Sequence, residues 1–136
     1  MLDTIQLDNI LFLDIETVPE TEHFSDLDSD FQELFAHKTQ YQRKEDVSPE
    51  EFYERAGIWA EFGKIICISV GYFTQKKGER QFRVTTFQGD EEHLLLDFSN
   101  LLNNHFNLPQ HVMCGHNVKE FDFPSVSYTH LTLPTN

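Results

Sequence analysis

Apolar residues run unbroken from Ile10 to Leu13, and Asp14-Ile15-Glu16-Thr17-Val18-Pro19 then follows in extended register. A short continuous apolar run predicts a strand buried on both faces, and Pro19 ends it. Ile65 to Phe73 is a second such run, β-branched and predicted to be apolar on both faces. Gln75-Lys76-Lys77-Gly78-Glu79 is turn material, and from Arg80 to Phe87 the residues Phe82, Val84 and Thr86 alternate with Gln81, Arg83 and Thr85. This predicts a half-exposed third strand closing an antiparallel hairpin. After Gly89-Asp90-Glu91-Glu92, the residues Leu94, Leu95, Phe98, Leu101, Leu102 and Phe106 recur at helical spacing. They predict an amphipathic helix with acids at its positive end, stopping near Asn107-Leu108-Pro109. A short strand over Val112-Met113-Cys114 and a helix starting near Asp122 complete an α/β domain with a mixed sheet. No internal repeat is present.

Between the first two strands lies a segment of another character. Phe31, Leu34, Phe35 and the stem of Lys38 share one helical face, with Ser29 or Asp30 as the predicted cap. Ser48-Pro49-Glu50-Glu51 marks a second helix start: a capping serine, a proline at the first position and a glutamate three after the cap. Phe52, Tyr53 and Ala56 give that helix an apolar side, and Gly57 is a predicted stop. Residues 20–63 hold twelve acids and four bases, so −8 of the formal net charge of −13 sits here. A solvated, acidic helical insertion is the expectation.

The 136 residues suffice for one domain with a core, and 39% hydrophobic content with thirteen phenylalanines indicates a globular chain. A charge of −13 argues against a passive nucleic-acid coat, but not against an enzyme reaching phosphates through bound cations. Cys67 and Cys114 lie in apolar runs and read as buried free thiols of a reducing compartment. With no signal peptide or membrane span legible, a cytoplasmic location is expected. Lys76, Lys77, Arg80 and Arg83 gather on the hairpin, where charge discourages edge-to-edge aggregation; a phosphate contact is the second reading.

The chemistry concentrates at the end of the first strand. Side chains at i and i+2 of a strand share a face, about 7 Å apart, so Asp14 and Glu16 point one way while Leu13 and Ile15 point the other. Two carboxylates beside an apolar core need a compensating cation, and a divalent metal ion supplies one. Asp122 is a third candidate acid, which strand geometry alone cannot place; as an isolated residue it reads equally as a helix-start acid stabilised by the macrodipole. His111, Cys114 and His116 superficially suggest zinc ligands, but they fall within six residues of one strand and no CxxC accompanies them.

At these residues the chain resembles a known family. Phe12-Leu13-Asp14-Ile15-Glu16-Thr17 is similar to the first motif of the DnaQ-like (DEDD) 3′–5′ exonucleases of the ribonuclease H-like superfamily. Gly115-His116-Asn117-Val118-Lys119-Glu120-Phe121-Asp122 is similar to their second. With Glu61 to Gly71 added, the pattern most resembles predicted exonucleases related to the proofreading domain of family B DNA polymerases. The resemblance spans about residues 8 to 124. It implies a ribonuclease H-like mixed sheet with flanking helices. It further implies that Asp14, Glu16 and Asp122 hold two Mg²⁺ or Mn²⁺ ions, with Asp14 as the bridge. Hydrolysis from the 3′ end of single-stranded nucleic acid, DNA before RNA, would release nucleoside 5′-monophosphates. Thr17 would lie near the terminal nucleotide, Asn117 would brace the site, and Phe121 would pack on a base or sugar, or else belong to the core.

The family's third motif, a carboxylate preceded by a tyrosine or histidine, has no counterpart in this chain. Residues 125–136 are serine- and threonine-rich, contain no acid, and resemble a translated sequencing-adapter tail, so they are read as a spurious or disordered end. The expectation is therefore a partial exonuclease domain over 1–124, with the fold incomplete at the C-terminus and this chain inactive on its own. A catalytically silent binding module of the same fold, and a related nuclease that cuts internally, are the alternatives.

Overall fold

The computed structural model describes residues 5–132. Four strands form one mixed sheet: β1 (Ile10–Pro19), β2 (Gly63–Lys76), β3 (Glu79–Gln88) and β4 (Val112–Cys114). Their order is β3-β2-β1-β4, with β1 antiparallel to β2, β2 antiparallel to β3, and β4 parallel to β1. The helices are α1 (Ser29–Thr39), α2 (Pro49–Phe52, continued as a 3₁₀ turn over Tyr53–Ile58), α3 (Glu91–His105) and α4 (Asp122–Thr132). The predicted order of strands and helices is the observed one, and the architecture is α/β with helices packed on the sheet.

The core lies on one side of the sheet. Leu11, Leu13 and Ile15 from β1, Ile65, Ile68 and Val70 from β2, and Leu94, Leu95 and Phe98 from α3 are its buried members. The other side is largely uncovered, which corrects the reading of β1 and β2 as buried on both faces. Phe12 is only partly buried, and Ile66 is exposed. A bulge explains the long apolar run in β2. Glu16 faces Cys67 while Thr17 faces Ile65, so Ile66 is the extra residue, and both Ile65 and Ile68 reach the core. At this bulge the Ile65 N–H donates to Glu91 Oε1 at 2.6 Å, tying the start of α3 to β2. Burial pushes the Glu91 carboxyl up, partly offset by that bond.

In β3 the alternation is real, but its apolar set points away from the core. Val84 pairs with Gly71 and Phe82 with Phe73, which puts Phe82 and Val84 on the open side, 52% and 63% exposed. Phe87, level with Ile68, packs on the core instead. The hairpin turns through Lys77 (φ 54°) and Gly78 (φ 83°), a two-residue loop whose positive φ values match the strand twist.

The acidic insertion is not a solvated flap. Leu27, Phe35, Tyr53, Ala56 and Phe62 are buried in a second core, flanked by Phe24, Phe52 and Trp59. Phe35 sits at its centre, with ring centroids of Tyr53, Phe62 and Trp59 at 5.3, 5.1 and 5.9 Å. The aromatics lie too irregularly along the sequence to show a single helical stripe. The cap of α1 is Asp28, whose Oδ1 accepts the Phe31 N–H, rather than Ser29 or Asp30. At α2 the Ser48–Glu51 capping box forms as predicted. Arg43 secures the following loop by donating to the carbonyls of Ala36 and Val47 and to Thr39 Oγ1. An ion pair joins Lys38 to Glu61.

At the other end, the helix that begins at Asp122 continues to Thr132, so most of the stretch read as a structureless tail is helical. Ser125 is buried and Val126 packs on the main core, which gives the helix an inner face despite its polar composition. Residues 133–136, including Pro134, lie outside the described residues.

Removing the ring at the centre of the second core should lower global stability by about 3–5 kcal/mol. Urea unfolding of Phe35→Ala is expected to show this loss, while Tyr41→Ala, at a position 92% exposed, stays within about 0.5 kcal/mol of the parent.

Candidate active site

The site is built around an interruption in the sheet. β4 pairs with β1 only through Ile10–Val112, Leu11–Met113 and Phe12–Cys114, and the chain then turns away at Gly115. A side chain there would collide with the Leu13 carbonyl and with Val118, so only glycine lets the turn pass so close to β1. Asn117 takes a left-handed conformation (φ 55°), and its carbonyl accepts the N–H groups of Glu120 and Phe121. This reversal delivers Asp122 to the first turn of α4, beside the edge of β1 that β4 has left unpaired. There Asp122 Oδ1 accepts the Ile15 N–H at 3.1 Å.

Asp122 is 1% exposed. Its carboxyl is pushed above the ordinary carboxylate range, first by burial. The hydrogen bonds from its own N–H and from Ile15 oppose that rise, the charge of Asp14 adds to it, and His116 subtracts. Asp14 and Glu16 are exposed on the open face, level with Ser69 and Cys67 of β2. Alternation along β1 thus places them as the sequence predicts, opposite to Leu13 and Ile15. Among the described residues, ion pairs join Lys38–Glu61, Arg80–Asp8 and His93–Asp90, and none of them reaches Asp14, Glu16 or Asp122.

The other predicted residues have structural duties. The Thr17 hydroxyl donates to the Gly57 carbonyl at 2.7 Å, fixing the end of β1 to the 3₁₀ turn. Asn117 is exposed and acts through its backbone. Phe121 packs against the main core. Cys114 is an exposed free thiol and His111 accepts the Leu108 N–H, while His116 lines the cleft that holds Asp14. Sequence reasoning missed the part played by Ile15, whose backbone N–H carries no signature in a side-chain pattern.

Among the described residues, no group of three or more His, Cys, Asp or Glu side chains is gathered closely enough to hold a metal ion. The donors at this strand end are three carboxylates with the His116 imidazole beside them, and oxygen ligands of this kind suit a hard divalent cation; the Asp122 carboxyl is held up first by burial and also by the charge of Asp14. No family model, curated protein or solved structure matches this chain. No helix of the described residues is long and apolar enough to cross a membrane.

Two substitutions separate the roles of Asp122. Asp122→Ala leaves the buried Ile15 N–H without its acceptor and is expected to cost about 1–3 kcal/mol. Asp122→Asn keeps an acceptor but cannot ionise. Because the folded-state pKa is raised, the contribution of Asp122 is full below its unfolded pKa and is lost as pH rises through the folded value. Without added metal, Asp122→Asn should therefore match or exceed parental stability at pH 7, and lose the advantage in acid. Denaturant midpoints across pH 3–7 check both signs.

Proposed function

We propose that the chain is the metal-binding core of a 3′–5′ exonuclease of ribonuclease H-like type, acting on single-stranded nucleic acid, DNA before RNA. The observation that carries this reading is the meeting of Asp122 with β1: its carboxyl reaches the Ile15 N–H, between the two residues whose acids face solvent. Asp14 and Glu16 present oxygens from the uncovered face, so a 3′ end would approach from that side, opposite α3 and α4. Asp122 stands at the same strand end with its carboxyl held above the ordinary range first by burial and also by Asp14, and a cation beside it would oppose that rise. Two Mg²⁺ or Mn²⁺ ions at such a site supply an acidified water and stabilise a leaving 3′ oxygen. Thr17, Asn117 and Phe121 support the site through the bonds and packing described above.

A second reading is a catalytically silent module of the same fold. It is favoured by the absence, among the described residues, of a gathered three-ligand cluster. Calorimetric titration with Mn²⁺ separates the two, since a silent module gives no binding heat and the exonuclease core gives heat that Asp14→Ala removes.

On 5′-labelled single-stranded DNA with Mg²⁺, the exonuclease reading predicts that a chain also carrying the family's third motif gives a ladder shortened one nucleotide at a time, while the 136-residue chain, which has no counterpart of that motif, is inactive on its own. Asp14→Ala should reduce the rate on the order of a hundredfold or more, since even outer-shell partners of a metal are worth ten- to a hundredfold. Products cut internally, or a ladder unchanged by Asp14→Ala, would contradict it.

A further inference from the structure

The open face carries aromatic rings as well as acids. Phe12, Phe73 and Phe82 form a trio there, with centroid separations of 5.7 Å (Phe12–Phe82), 6.3 Å (Phe12–Phe73) and 5.0 Å (Phe73–Phe82). Phe82 lies across Gly71, where a β-carbon would displace the ring, and it is 52% exposed. A cleft of about 270 Å³ connects Phe12 and Phe82 to Asp14, Ser69 and His116. Phe12 is two residues from Asp14 on the same face of β1, about 7 Å along the strand, which is close to the reach of one nucleotide. At the far end of the hairpin, Arg80 meets Asp8 at 3.4 Å, and Lys77 forms the turn. Of the hairpin's cations, Arg80 shares the face of Phe82 by strand alternation and Lys77 lies in the turn, whereas Arg83, level with Tyr72, lies on the face toward α3.

We propose that this face is the path of the single-stranded substrate, an inference that rests on the exonuclease reading. The 3′-terminal phosphodiester lies at Asp14 and Glu16, the preceding base stacks on Phe82 and Phe12, and the strand runs on toward the positive hairpin. Exposed rings serve such a path because every base offers a π-face, so stacking gives affinity without sequence preference. Arg80 and Lys77 complement phosphates, whereas the surface near Asp14 repels them until a cation is present. Binding of DNA should accordingly require a divalent ion.

Fluorescence anisotropy of labelled oligothymidylate, with Ca²⁺ replacing Mg²⁺, tests this without turnover. Phe82→Ala should weaken binding roughly tenfold, Phe82→Trp should restore it, and Mn²⁺ affinity should stay at the parental value in both. Equal DNA affinity for parent and Phe82→Ala would overturn the path and leave the exonuclease reading standing. So would a parent that takes Mn²⁺ but no DNA. Sedimentation equilibrium showing a dimer that Phe82→Ala dissolves would also overturn it, by assigning the face to a second copy. A parent that binds neither Mn²⁺ nor DNA would remove both proposals.

Discussion

A strand in the middle of a sheet needs partners on both edges, and β1 has them only as far as Phe12, where β4 stops at Cys114. Beyond that point the Ile15 N–H would be buried with no acceptor, at a cost of about 1–3 kcal/mol. Asp122 supplies the acceptor from the start of α4. The same bond fixes where α4 begins, and it brings a third acid to the strand end that carries Asp14 and Glu16. Gly115 and Asn117 are then intelligible as the two residues that let the chain turn tightly enough to make it. Fold and candidate chemistry thus depend on one backbone donor.

The electrostatics divide the molecule into two kinds of acidic surface. In the insertion several acids are engaged locally: Asp28 caps α1, the Glu51 carboxylate accepts the Ser48 N–H in the capping box, and Glu61 pairs with Lys38. At the end of β1, Asp14 and Glu16 have no ion pair among the described residues, while Asp122 accepts the Ile15 N–H and is held above the ordinary carboxylate range first by burial and also by Asp14. A sheet face that stays open, with α3 and α4 on the other side, makes those acids accessible. The insertion packs at the end of β1 through Thr17 and Gly57 without covering that face.

Much of this was legible in the sequence. The strand and helix order followed from periodicity, and the divergence of Asp14 and Glu16 from Leu13 and Ile15 followed from strand alternation alone. What escaped has identifiable causes. Periodicity reports that Phe82 and Val84 share a face but not which face is covered, because coverage is a property of the whole sheet. The bulge at Ile66 hides inside an unbroken apolar run, where a phase shift changes no residue type. The second core assembles from aromatics scattered between Phe24 and Phe62, with no common period. The helix over 125–132 is polar in composition and takes its stability from Val126 and the buried Ser125, contacts that appear only in three dimensions.

The central claim is that a divalent cation is held where Asp122 meets β1. Titrating ¹⁵N-labelled protein with substoichiometric Mn²⁺ and reading paramagnetic broadening amide by amide tests it directly, because the acidic insertion is a built-in competitor. The account predicts that signals of Asp14, Ile15, Glu16 and Phe121 to Phe123 broaden first. Broadening that begins within residues 20–61, or that is spread evenly over the acidic surface, would contradict it.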